Sequence, residues 1–227
     1  MNLKRKAITA IVSTVLIGMS AVCFAPASQA GSLPAAPKVK ILPTSLLASL
    51  LTSGGAVDGV HINPKNYDVY TSLVSLFIQN SIAPKSSDLY LLVGNTPLTA
   101  FIPTDAAFQQ LAAQLTGKTS TSVQGIVTDL SSLGKQGLEQ LLEYSIVPGS
   151  EIFAGAALKA NGKGLVTGLA GKSMKVSVVG SSISLGDYSK KPDARVILSQ
   201  VDLNKKNKAV GHGVDSVPLP FELPVKK

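Results

Sequence analysis

Histidines, carboxylates and glycine clusters are the groups in this chain whose types and spacing could do chemistry. His212 stands three residues before Asp215 and serines are plentiful, so a Ser-His-Asp relay can be drawn. No serine lies in a Gly-x-Ser-x-Gly elbow, the turn that exposes such a nucleophile above a sheet. An isolated histidine inside an apolar strand instead reads as a satisfied core residue. His61 sits in a Gly/Asn/Pro loop with no second ligand at a metal spacing, so no metal site is expected. Glu139 and Glu143 lie one helical turn apart on a single face. Glycosidase carboxylates must face each other across a bond, so this pair reads as a solvated face. Gly162-Lys-Gly164 and Gly211-His-Gly213 lack the strand–loop–helix setting of a phosphate cradle. Cys23 is the only cysteine, and five tyrosines, six phenylalanines and no tryptophan make a poor stacking platform. The expectation is no catalytic residue, no enzyme activity, no cofactor and no metal.

The elements that must position these groups are legible by period. Thr99-Ala-Phe-Ile-Pro-Thr-Asp-Ala-Ala-Phe108 reads as a short strand that turns into a helix. Leu98, Ala100 and Ile102 share one face of it, Thr99 and Phe101 the other. Pro103 should end the strand, Thr104 should cap the helix, and Asp105 suits that helix's positive end. Before this joint, helices are expected over 45–51 (capped by Thr44), 67–82 (ended by Pro84) and 88–93. After it, helices are expected over 105–115, 123–133, 137–144 and 151–160, with a brief strand at 145–147. From 164 onward the texture changes to strands at 164–169, 174–179, 182–186, 195–203 and 210–217. Helices first and strands later argue for an α+β fold in which the early strands must join the later sheet over long separations.

The first thirty residues stand apart. Lys4, Arg5 and Lys6 precede an apolar run from Ala7 to Ala25, and Ser28-Gln-Ala30 carries small residues where a signal peptidase reads. Residues 1–30 are therefore expected to be a secretory signal cleaved near Ala30. A retained anchor is the rival reading of the same run. Segment 31–66 is an N-terminal extension with a proline-rich arm and a short helix, 67–220 the domain, and 221–227 a short tail. The net charge of +8 falls to +5 without the three leading cations, too mild and too scattered for nucleic-acid binding. No membrane span is expected in the mature chain, whose place is extracellular or periplasmic.

Three segments together resemble a known family. Leu98-Thr-Ala-Phe-Ile-Pro-Thr-Asp-Ala-Ala-Phe108 is similar to the first signature of the fasciclin domain. Leu141-Leu-Glu-Tyr-Ser-Ile-Val-Pro-Gly149 resembles its central motif, and Val210-Gly-His-Gly-Val-Asp-Ser-Val-Pro-Leu-Pro220 its closing one. The resemblance implies a fasciclin-type β-sandwich or wedge with several helices packed along it. It implies a bacterial, secreted or surface-associated binding module for extracellular protein, matrix or polysaccharide, without catalysis. Thr99, Phe101, Pro103, Thr104, Asp105, Phe108, Tyr144, His212, Asp215 and Pro220 are the motif residues, with structural roles. The family's Tyr-His pair, tied to receptor binding in some animal members, is Tyr144-Ser145 here. Gly211 and Gly213 replace branched residues, which should loosen that strand or admit another backbone. Binding contacts are expected in loops 117–122 and 186–193 and at the basic turn of Lys205, Lys206 and Lys208. The alternative is a small-molecule carrier, with an apolar pocket of roughly 300 Å³ or more between helices and sheet.

Overall fold

Strand β1, Leu98–Pro103, is buried along its whole length, so it must be covered on both faces. The computed structural model describes residues 39–53 and 62–223; the signal segment, His61 and the end of the tail lie outside them. β1 is the centre of a three-stranded sheet. It pairs antiparallel with β2, Ile146–Pro148, and parallel with β7, Ala209–Val214. β3 (Gly164–Val166), β4 (Ser173–Val179), β5 (Ser182–Gly186) and β6 (Ala194–Arg195) form a second, antiparallel sheet in sequence order.

Helices complete a layered arrangement. α1 (Leu46–Ser53), α2 (Asp68–Gln79), α3 (Asp105–Thr116), α4 (Val123–Leu130) and α5 (Gly134–Tyr144) cover one side of the first sheet. The pleat of β1 divides two cores. Leu98, Ala100 and Ile102 join the helices, while Phe101 meets Val147, Val214, Met174, Val176 and Leu185 between the sheets. A one-residue slip would exchange these sets, so burial of both faces pins the register. The sheets meet where Val196 bridges Val214 and Ile197 N–H donates to the Gly213 carbonyl at 2.8 Å. This is an α+β wedge, with the long-range joining expected of β1. The early strands do not enter the later meander; they form their own sheet with β7.

Local chemistry sets the boundaries. Thr104 Oγ1 accepts from Ala107 N–H at 3.3 Å, and Gly117 closes α3 in the left-handed region at φ 77°. Pro103 is still paired within β1, opposite Val214, so the strand runs one residue further than expected. Ser45, not Thr44, caps α1, its hydroxyl accepting from Ala48 N–H. α2 stops at Gln79, well before Pro84, and Ser81 adopts φ 53°. The 88–93 helix is 3₁₀, Asp88–Val93, capped by Ser87. Leu46, Leu47 and Leu50 of α1 lie in the main core, and Val39 exchanges bonds with the Gln79 amide.

Two elements differ from expectation. The helix expected over 151–160 shrinks to α6, Ala154–Ala157, because the backbone of 150–152 is engaged by side chains of other elements. The strand expected over 195–203 becomes β6, a 3₁₀ turn at Leu198–Gln200 and a bridge from Leu203 to Gly211. Positive φ at Asp202 and Asn204 bends this segment away from the sheet.

Candidate functional site

The closing histidine is an internal clamp. His212 is 2 % exposed, and its ring stacks on Phe101 at 5.8 Å between centroids. Nε2–H donates to the Ile152 carbonyl at 2.7 Å, and Nδ1 accepts from Asp202 N–H at 3.3 Å. That pattern is satisfied by the neutral ring, and burial holds its pKa below the ordinary histidine value. Thr99 grips the same segment: its hydroxyl donates to the Ser150 carbonyl at 2.7 Å and accepts from Ile152 N–H at 2.8 Å. Asp202 Oδ1 accepts from Ala154 N–H at 2.8 Å. Three side chains from β1, β7 and the 202 turn thus hold the backbone of 150–154.

Asp215 is not part of that constellation. It is exposed, and its Oδ1 accepts from Arg195 N–H at 2.8 Å while its own N–H donates to the Arg195 carbonyl. The structure does not bring His212 and Asp215 together, so the relay drawn from their spacing is absent. The carboxylate beside the ring is that of Asp202, whose Oδ1 lies 3.9 Å from Nδ1.

Asp105 acts on a different helix from the one expected. Its Oδ1 accepts from Val69 N–H at 2.9 Å, in the first turn of α2, whose own N-cap residue Tyr67 supplies no side-chain bond. The carboxylate is fully buried and Oδ2 has no partner. Burial raises its pKa to about 7, against the lowering effect of the α2 N–H groups. Phe108 and Pro103 are buried, as is Pro220.

Tyr144 and Ser145 point inward. The Tyr144 hydroxyl donates to the Ser173 carbonyl at 3.0 Å, and burial first, then Asp187, hold its pKa above the ordinary phenol value. The Ser145 hydroxyl donates to the Leu142 carbonyl at 2.6 Å, so Tyr70 is the donor in the 3.1 Å contact between their hydroxyls. Both residues are buried, so this pair offers no surface for recognition. Glu143 is not simply solvated: it accepts from the Ser87 hydroxyl at 2.6 Å.

Gly211 and Gly213 serve close approach. Gly211 exchanges both backbone bonds with Leu203, and a Cβ there would lie 2.7 Å from Ile102 Cδ1. At Gly213 a Cβ would overlap the Tyr67 hydroxyl and sit 2.7 Å from Gln200 Oε1. Lys205, Lys206 and Lys208 are exposed on a turn whose core is tied by Asn204 to the Thr44 and Ala209 carbonyls.

A cleft of about 360 Å³ opens between α3, loop 187–193 and segment 215–219. Ala107, Leu111, Val217 and Leu219 give it buried apolar lining. Asp187 shapes one wall, accepting from Ser189 N–H at 2.7 Å and Leu219 N–H at 2.8 Å. Lys191 Nζ donates to Gln114 Oε1 at 2.5 Å, linking loop to helix. Gln110, Asp193 and Arg195 also line it, and among the described residues their side chains have no hydrogen-bond or ion-pair partner. The cleft lies beside α3 with charged walls, not in an apolar space between the helices and the sheet.

The fasciclin domain family model matches residues 69–220. The chain belongs to the fasciclin domain family. The FAS1 domain pair from the insect cell adhesion molecule fasciclin I, a solved structure, is similar at 16 % identity and a TM-score of 0.44. That similarity covers 69 % of this chain and 47 % of the other, so the chain spans about half the length of that structure. No curated protein matches. Within the fasciclin frame, the motif residues Thr99, Thr104, Asp105, Tyr144 and His212 make internal bonds. The sequence signalled these but not the cleft, whose lining joins α3 to segments far along the chain. Among the described residues no helix is long and apolar enough to cross a membrane, and no cluster of three or more His, Cys, Asp or Glu could hold a metal.

Proposed function

We propose that this chain is a bacterial, secreted or surface-associated fasciclin module that binds an extracellular protein, matrix component or polysaccharide without bond chemistry. Residues 1–30 act as its secretory signal, cleaved near Ala30; 31–66 lead into the domain at 67–220, and 221–227 form the tail. The observation that carries this reading is the direction of the polar motif residues. His212, Thr99, Asp105 and Tyr144 spend their hydrogen bonds on backbone partners inside the molecule. Loop 186–193 and the turn of Lys205, Lys206 and Lys208 are among the surfaces that carry exposed charge. A rigid scaffold that presents charged loops fits recognition, and it uses no cofactor or metal.

The test is a glycan and matrix-protein array probed with the mature chain, 31–227. A reproducible partner is expected, and Lys205→Ala, Lys206→Ala, Lys208→Ala in combination should weaken it with the melting temperature unchanged. An array with no partner, or substrate turnover by the mature chain, would refute the reading.

A further inference from the structure

The cleft beside α3 brings apolar, acidic, basic and amide side chains together. We infer that it is a binding site for a neutral, polyhydroxylated ring: one monosaccharide unit, free or at the end of a glycan. This rests on the proposed binding role and assigns that role a place.

The size of the cleft suits one ring. About 360 Å³ is at the small end of ligand sites, which run from roughly 300 to 1,000 Å³, and fits a sugar better than a folded partner's loop. Its polarity is mixed. Leu111, Val217 and Leu219 offer an apolar patch for the C–H face of a ring. The lining also holds both donors and acceptors. Asp193 supplies acceptors, Gln110 both kinds, and Arg195 donors, and none of the three side chains is hydrogen-bonded or ion-paired among the described residues. A hydroxyl both donates and accepts, so a ring of hydroxyls satisfies such a mixed set where a purely anionic or cationic ligand leaves one sign unpaired.

Charge decides against ionic ligands. Asp187, Asp193 and Asp215 face Lys191 and Arg195 in the lining, so the two signs nearly cancel. Asp187 and one oxygen of Asp215 are already committed to backbone N–H groups, which leaves fewer free acceptors for a cation than the count suggests. Lys191 gives one of its three N–H donors to Gln114, and the three aspartates in the same lining oppose an anion. Among the described residues no aromatic ring lines the cleft, so affinity should be weak, on the order of 1 mM.

The experiment is a two-dimensional amide NMR titration of the mature chain with glucose, galactose, mannose and N-acetylglucosamine, each as the free sugar and as its methyl glycoside. Glucosamine and glucuronate serve as charged arms. At least one neutral sugar, free or as its methyl glycoside, should give saturable shifts confined to 107–114, 187–195 and 215–219. Asp193→Ala and Gln110→Ala should each weaken it at least fivefold; both positions are exposed, and an unchanged spectrum elsewhere verifies their fold. Binding of a free sugar but not its methyl glycoside would mark a soluble sugar, and equal binding a glycan terminus; either keeps the site. No saturable shift, shifts elsewhere, unweakened variants, or tighter binding of a charged arm than of its neutral parent would overturn it. A partner on the array with no cleft response sinks this inference alone. A silent array with a working cleft sinks adhesion but not the site.

Discussion

Replacing Asp105 by Asn should remove a pH dependence that the fold builds into its first signature. The carboxyl has an ordinary pKa of 3.8 in the unfolded chain and about 7 in the native one, because burial disfavours the charged form and Oδ2 finds no partner. The native state therefore binds the proton more tightly than the unfolded state between these two values. Where the native state holds more protons, stability falls as pH rises. The contribution is at its best below pH 4, declines through the window, and is flat above pH 7. A shift of about 3 units at about 1.4 kcal/mol each gives up to about 4 kcal/mol, a large share of a typical domain's stability. The amide that Asp105→Asn introduces keeps an acceptor for Val69 N–H and cannot ionise. Urea denaturation followed by far-UV circular dichroism at five pH values from 4 to 8 is the assay. Asp105→Asn should gain on the wild type by at least about 2 kcal/mol across that range. Taking the difference cancels every other titrating group. Parallel curves for the two proteins would refute the reasoning, because the buried carboxylate would then cost nothing to ionise.

His212 carries the opposite sign. Its native pKa is lowered, so stability is lost as pH falls below the ordinary histidine value; His212→Asn should abolish that acid limb in the same denaturation series. Thr99→Val keeps the shape but strands the Ser150 carbonyl and Ile152 N–H, and urea midpoints should show a loss of about 2–4 kcal/mol, with faster amide exchange at 150–154. Gly213→Ala forces the Tyr67 and Gln200 side chains apart and should cost about 1–3 kcal/mol by calorimetry, with loss of their mutual hydrogen bond. Thr104→Ala removes only the α3 cap and should cost about 1 kcal/mol in the same measurement.

The local features were open to reading because their causes are local. Thr104 caps its helix and Gly117 closes it through bonds within one turn. The two faces of β1 follow from a period of two. The misread stretches share another cause. Residues 151–160 have helical composition, yet Thr99 and His212 claim the backbone bonds that the first turn of a helix would need. Residues 195–203 look extended, yet the positive φ at Asp202 bends them so that its carboxylate reaches Ala154. Spacing also made a partnership of His212 and Asp215 that the strand and the following bend do not allow.

What the sequence determined by itself is the family, the order of helices and strands, and which apolar faces must be covered. Periodicity, caps and three ordered motifs are properties of neighbours along the chain, so they survive without coordinates. Only the tertiary structure decided what the polar motif residues do. Asp105 opens α3 but serves α2, and His212 answers to residues sixty and ten positions away. The cleft is likewise a meeting of α3 with segments near residues 190 and 217. Hydrogen-bond partners and cavities depend on distances across the fold, and no spacing along the chain encodes them.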